Sequence, residues 1–293
     1  MAKAASDKLM TRVFVSALLL MVTCLPGHAK LTKERRLLRH FDNIEARGAV
    51  KVFVVQEKRL RQATVYGDDS VLESIVTDVR GKTLVIEANN VTKYAPRLPL
   101  VRIAFTATHP VEVIVSAKEL KSVTVAGEAE FTATNLTAKA TGLQKKTFNV
   151  FSAGSGKIHL ENLTADAVVA RLESDGDVTI KGGVVERLDA DLRGKGSLRA
   201  IDLPALRAHV SISGSGNAEL RAENWLDAKL TGTGNLYYLG RPLNLFLQAD
   251  NQGRVEAIDP EETLEAPAKE EATLPPSLDK DKKDVPQAPQ KKP

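Results

Sequence analysis

The sequence has a single cysteine, Cys24, among 293 residues. That excludes an internal disulfide framework and a cysteine-based zinc site. Aromatic residues make up only 4%, too few for extended stacking platforms against bases or sugars. A strong charge of one sign is also missing: 41 Lys and Arg stand against 37 Asp and Glu, a net +4. So mild a basicity does not argue for a nucleic-acid partner, and none is expected. Beyond the first thirty residues, no run is long and apolar enough to span a bilayer as a helix. What remains is a 31.7 kDa chain, 43% apolar, which is enough for one large core or two ordinary ones.

The two ends differ from the middle. Lys3, Lys8 and Arg12 precede a short apolar run, Val13 to Val22, and Gly27-His28-Ala29 places small residues where a signal peptidase needs them. Residues 1–29 are therefore expected to be a secretory signal peptide, and the protein to be exported to the periplasm or cell envelope, or secreted. A lipoprotein reading would make Cys24 the acylated first residue, the one route by which a membrane would become a partner. Thr23 is bulky for that role, so the soluble form is preferred. Residues 30–40 form a basic lead-in with Lys33, Arg35, Arg36 and Arg39, and a short helix is expected there. From Pro260 onward lie seven of the 13 prolines, mixed with Glu, Asp, Lys and Ala and no aromatic, so residues 260–293 are expected to be a disordered tail.

Between these ends the chain repeats. Gly156, Gly176, Gly196, Gly216, Gly234 and Gly253 are spaced by 20, 20, 20, 18 and 19 residues. Two residues after each stand Ile158, Val178, Leu198, Ala218, Leu236 and Val255; four after stand Leu160, Ile180, Ala200, Leu220, Tyr238 and Ala257. The intervening positions are mostly polar, the alternation of a half-buried strand. A second alternating segment precedes each glycine: Val168-x-Ala170-x-Leu172, Leu188-x-Ala190-x-Leu192, Ala208-x-Val210-x-Ile212, Leu226-x-Ala228-x-Leu230 and Leu245-x-Leu247-x-Ala249. Each repeat therefore reads as strand, glycine turn, strand, loop, with glycine required by a positive φ or by a close neighbour above. Side-by-side hairpins would need Asn-Gly or Asp-Gly turns, whereas Ser-Gly-Ser-Gly and Thr-Gly-Thr-Gly recur here in phase. In-phase stacking predicts an all-β, single-stranded right-handed parallel β-helix, a β-solenoid of ~20-residue coils, over residues 41–259. The first half is less regular, with β-rich runs from Val50 onward and a short helix or irregular turn over Val71 to Thr77. About eight extra residues before the Gly156 repeat, including Lys145 and Lys146, read as a bulged loop. Exposed ends of such a stack, if weakly capped, lead to end-to-end association.

The residues also resemble a known family, the auto-transporter adhesin head GIN domain. The likeness is carried by Phe41-Asp-Asn-Ile44, Gly48-Ala-Val-Lys-Val52, Val65-Tyr-Gly-Asp68, Gly81-Lys-Thr-Leu-Val-Ile86 and Ala117-Lys-Glu-Leu-Lys-Ser-Val-Thr-Val-Ala-Gly127. Ser213-Gly-Ser-Gly216 and Thr231-Gly-Thr-Gly-Asn-Leu-Tyr-Tyr-Leu-Gly-Arg-Pro242 continue it, the last being the most specific. The resemblance covers roughly residues 41–258 and implies an exported parallel β-helix without motif-borne catalytic residues. Asp175-Gly176 and Gln252-Gly253 depart from the family's turn pattern.

Several side chains deserve weighing as sites. Ser155-Gly156-Lys157 looks like the end of a phosphate-binding loop, but Phe151 and Ile158 occupy the positions where that loop needs Gly and Ser or Thr. Asp189, His209 and Asp227 share one outward position on successive repeats, and stacking would place them about 5–10 Å apart, near enough for a metal or an acid–base pair. An alternating-charge surface ladder explains them equally and is the expected role. Glu173, Asp175 and Asp177 lack the nonapeptide pattern of calcium β-rolls. Arg171, Arg193 and Arg199 suit a polysaccharide-lyase cleft, but the repeats leave few long loops to wall one. Trp225 and Tyr237, in the last repeats, are candidates to grip a sugar or to cap the core, and Tyr238 is expected to point inward. Asn90, Asn135 and Asn162 begin N-x-Thr patterns, which carry no meaning if the source is bacterial. No cofactor, metal or enzyme activity is expected. The function expected is an exported, non-catalytic envelope scaffold or adhesin-like binding module for a protein or glycan. The alternatives are a carbohydrate-active enzyme on the same frame and a lipoprotein assisting envelope assembly.

Overall fold

The computed structural model describes residues 31–56, 61–88, 92–95, 98–104, 110–138, 145–250 and 252–258. The expected signal peptide and C-terminal tail lie outside them. The fold is all-β apart from one helical turn, α1 (Asp69–Leu72). Eighteen of the twenty strands form one hydrogen-bonded sheet, and β7 (Thr92–Ala95) and β8 (Leu98–Ala104) form a separate antiparallel pair.

The repeat is visible as register. β14 (Lys157–Leu172), β15 (Val178–Leu192), β16 (Leu198–Ile212) and β17 (Ala218–Leu230) pair in parallel, with most residues beside their equivalents in the next repeat. Ile158 lies beside Val178, Val178 beside Leu198, and Leu198 beside Ala218. The 18-residue repeat is absorbed by two register shifts against β16, between Ala200 and Pro204 and between Ala205 and Arg207. Each repeat contributes to three parallel ladders. Ladder I runs through residues 157–161 and their equivalents, ladder II through 163–165 and ladder III through 167–172.

The loop expected between the two strands of each repeat is thus a third paired segment. Its inward residues, Leu163, Ala165, Val185, Leu203, Ala205 and Ala222, are buried. Alternation over so few residues, broken by corner residues such as Asn162 at φ +53° and Gly182 at φ +71°, is too brief to read as a strand.

The inward apolar side chains form one continuous cluster running from Phe41 to Leu236. The β14 repeat alone places Ile158, Leu160, Leu163, Ala165, Val168, Ala170 and Leu172 in it. At about 1.5–3 kcal/mol per fully buried large side chain, one repeat cannot order itself, and stability comes from the stack.

The repeated glycines are there for closeness and not for handedness. None of the six aligned glycines has a positive φ. A Cβ added to Gly176, Gly196, Gly216, Gly234 or Gly253 would come within 3.0 Å of the backbone oxygen of the glycine one repeat earlier. Gly156 meets Ala129 in the same way. A second column, Gly194, Gly214 and Gly232, is equally crowded.

The first half extends the same ladders. β11 (Glu130–Thr134), β3 (Val50–Gln56) and β9 (Val111–Ala117) continue ladder I in parallel. β13 (Thr147–Gly154), β10 (Ser122–Gly127), β2 (Asn43–Gly48) and β6 (Thr83–Ala88) continue ladder III. β12 (Thr137–Ala138) begins ladder II.

At this end the direction reverses. β4 (Gln62–Asp68) pairs antiparallel with β9, and β5 (Ile75–Arg80) pairs antiparallel with β6. The basic lead-in is not helical: β1 (Leu31–Leu37) is a strand antiparallel to β4. Pairing along seven residues, with Arg36 bonded across the gap, outweighs whatever helix tendency the segment has. The Arg36 guanidinium donates to Ile75 O at 2.6 Å, Leu72 O at 3.0 Å and Thr77 Oγ1 at 2.9 Å. It ties the edge of ladder I to α1 and β5 at the edge of ladder III.

The other end has no such closure among the described residues. Ladder I ends in β18 (Leu236–Leu239) and β20 (Val255–Ala257), and ladder III ends in β19 (Asn244–Ala249). Leu245, Leu247 and Ala249, expected inward, are exposed, the two leucines at 43% each. They keep the register of Leu226, Ala228 and Leu230, but no further layer among the described residues covers them. Tyr238 packs partly buried against the core, as expected.

Candidate functional site

Outward positions of ladder III carry most of the candidate residues. Alternation turns Leu188, Ala190 and Leu192 inward and leaves Arg187, Asp189 and Asp191 outside, and parallel register stacks these columns through later repeats. Asp189 lies beside His209, His209 beside Asp227, and Asp227 beside Phe246. His209 Nδ1 and Asp227 Oδ2 are 3.1 Å apart, both side chains about half exposed. Asp189 accepts from Arg187 Nε at 2.8 Å along its own strand. The three candidates therefore share one column, each engaged with a charged or ionisable neighbour. Exposed pairs of this kind contribute about 0–1 kcal/mol each.

A parallel column runs Arg187, Arg207, Trp225, Asn244. It brings Trp225 diagonally against Phe246, ring centroids 5.0 Å apart and planes tilted by 33°. Trp225, Asp227, Leu245, Phe246, Leu247 and Gln248 line a shallow groove of about 600 Å³ at the end of ladder III. Trp225 is 39% exposed. Tyr237 is elsewhere: it sits on ladder I between Glu219 and Glu256. Phe246 was missed in the sequence because its neighbours Leu245 and Leu247 mark the strand as core, and nothing local says that the stack stops there.

A second charged cluster lies where the chain enters ladder III. Asp42, 4% exposed, meets Lys121 Nζ at 2.9 Å and His40 Nε2 at 3.0 Å. Burial alone would raise the Asp42 carboxyl. The Lys121 hydrogen bond and charge, with His40 and Lys82 nearby, more than reverse this and hold it below its ordinary value. The same contact raises the Lys121 ammonium. Lys146 bonds Glu119 Oε1 at 2.6 Å and lowers that carboxyl, while its backbone N–H donates to Asp166 Oδ2 at 2.9 Å. Lys145 pairs with Glu186. Asp42, Glu119 and Glu186 are each matched to a lysine, and the cluster ties repeats together at a corner. Among the described residues, no three or more His, Cys, Asp or Glu side chains group closely enough to hold a metal ion.

A family model described as "Putative auto-transporter adhesin, head GIN domain" matches residues 40–242. The chain belongs to this family. Its fold is similar to solved structures that share only 21% of its sequence. One, named a putative adhesin, from Bacteroides fragilis, superposes with a TM-score of 0.66 over 78% of this chain and 97% of that one. A second, named a putative lipid binding protein, from Parabacteroides distasonis, gives 0.59 over 80% and 98%. A third, a putative adhesin from the same species, gives 0.55 over 79% and 98%. None of the curated proteins matches this chain. At such identities the likeness extends to the fold. Family and neighbours bear the names of adhesins or lipid binding proteins and not of enzymes.

Proposed function

We propose that the chain is an exported, non-catalytic binding module. Residues 1–29 direct export. Residues 41–259 fold as a right-handed parallel β-helix, whose ladder III is the face that meets a glycan of the cell envelope or surface. The three in-register ladders support the β-helix reading, since a ~20-residue offset repeated in each is what continuous winding requires. One observation carries the binding reading: the tilted Trp225–Phe246 pair lies beside the His209–Asp227 contact and Gln248 in an open groove. An aromatic face flanked by a carboxylate, an imidazole and an amide offers a sugar ring both stacking and directional hydrogen bonds.

The test is a panel of envelope polysaccharides and their oligosaccharides, read by calorimetric titration against the full chain. Saturable binding that weakens about tenfold or more in Trp225→Ala, with no release of reducing or unsaturated sugar, supports the module. Sugar release, or binding indifferent to Trp225→Ala and His209→Ala, rejects it. Mass spectrometry of the mature N-terminus separates a free Lys30 from an acylated Cys24.

A further inference from the structure

We propose that β19 is a self-pairing edge through which two copies of this chain form a closed dimer. The two ends of the stack are unlike. The first is crossed by antiparallel strands and by Arg36, and its edge strand β1 carries Lys33, Glu34, Arg35 and Arg36. Charge on an edge opposes further pairing. β19 reads Asn-Leu-Phe-Leu-Gln-Ala, without charge or proline, and all six residues are exposed. Leu243 just before it is 83% exposed. Among the described residues one end is open and the other closed, which disfavours an indefinite head-to-tail chain and leaves an isologous, two-fold contact. In such a contact like faces like, so an uncharged edge fits itself where a charged one would repel.

The backbone also sets the register. Asp250 N–H donates to Leu230 O. By alternation, Asn244, Phe246 and Gln248 turn their amides toward β17, and Leu245, Leu247 and Ala249 turn theirs to the open edge. A two-fold axis normal to ladder III keeps each side chain on its own face, so opposed residues have the same parity. Centring the axis on Phe246 pairs Leu245 with the other copy's Leu247 and Asn244 with its Gln248. The Leu245–Leu247 pairs exchange N–H···O bonds through the free amides and continue the apolar interior across the axis. Phe246 then faces its own copy as a non-hydrogen-bonded pair, with Cβ atoms about 4.5 Å apart. The outward row becomes Trp225, Phe246, Phe246, Trp225.

The experiment uses the full chain with Cys24→Ser, which leaves no cysteine. Light scattering during size exclusion at about 1 to 100 µM is expected to show a monomer passing to a dimer. Phe246→Cys is expected to form an intermolecular disulfide under mild oxidation at least about tenfold faster than Arg187→Cys, on the same ladder but away from the axis. Leu247→Lys is expected to restore the monomer with the thermal midpoint of the wild-type monomer retained. Three results overturn the proposal: a monomer throughout, whether residues beyond Ile258 or another molecule occupies this end; a dimer in which Phe246→Cys links no faster than Arg187→Cys; or larger assemblies without a dimer plateau.

Discussion

Ser152 is an inward-facing residue on ladder III, fully buried beside Leu172, and its hydroxyl has no hydrogen-bond partner among the described residues. A buried hydroxyl left unpaired costs about 1–3 kcal/mol of desolvation. Ser152→Ala removes that cost and leaves almost no void. We expect a gain of about 1 kcal/mol, read as a higher urea midpoint at unchanged slope. Gly196 is the opposite case. Its added Cβ would press on the backbone oxygen of Gly176, which cannot move without shifting the repeat below. Gly196→Ala should cost about 2 kcal/mol or more. Gly81, at φ +62° with nothing within 4 Å, should lose only about 1 kcal/mol on the same change. Parallel denaturation curves would separate crowding from backbone handedness.

The elements that close the first end depend on a few charged groups. Arg36 holds β1, α1 and β5 together through two carbonyls and a hydroxyl, and Arg39, just past β1, adds a bond to Val79 O of β5 at 2.8 Å. Arg36→Met keeps much of the apolar stem and loses the fork, so a loss of about 1.5–3 kcal/mol is expected. Hydrogen exchange should then rise in β1, α1 and β5 before it rises in β14 to β17. The Asp42–Lys121 contact gives the corner a pH dependence. Because the Asp42 carboxyl is more acidic folded than unfolded, the folded state binds fewer protons and is favoured above the unfolded pKa. That contribution should disappear as pH falls below about 4 and through the depressed folded value. Asp42→Asn should flatten the acid limb of a stability–pH curve, and an unaltered limb would assign it to other carboxylates.

The strands β14 to β17 pair in register at whole-repeat offsets, so the protein's length is expected to be adjustable in whole repeats only. Removing residues 176–195 joins Asp175 to Gly196 and returns every later residue to an equivalent place on the repeat below. The shortened protein should fold with strand-rich circular dichroism and a lower thermal midpoint. Removing residues 176–185 alone would set strands of one ladder against corners of another, and a soluble cooperative fold would contradict the register described here.

Much of this architecture was legible in the chain, and the reason is translational symmetry. A residue in the middle of the stack meets the same neighbours above and below in every repeat, so Ile158, Val178 and Leu198 carry the same inward message, and alternation alone reports which side each neighbour faces. Asp189, His209 and Asp227 could be assigned to one column on that ground. The glycine spacing revealed the period, although only the coordinates distinguished crowding from a positive φ. What depended on tertiary structure lies where the symmetry ends or the segments are too brief to show a period. Leu163-x-Ala165 forms a third ladder that two alternating positions cannot announce. Leu245-x-Leu247 has the same local pattern as Leu226-x-Ala228, yet the second pair is buried and the first exposed. Burial is a property of the next layer and not of the strand itself. Arg36 reads as part of a basic lead-in until β5 and α1 are brought against it from some forty residues away. The one-dimensional pattern determined the repeating interior, and the ends were decided by which layer happened to be the last.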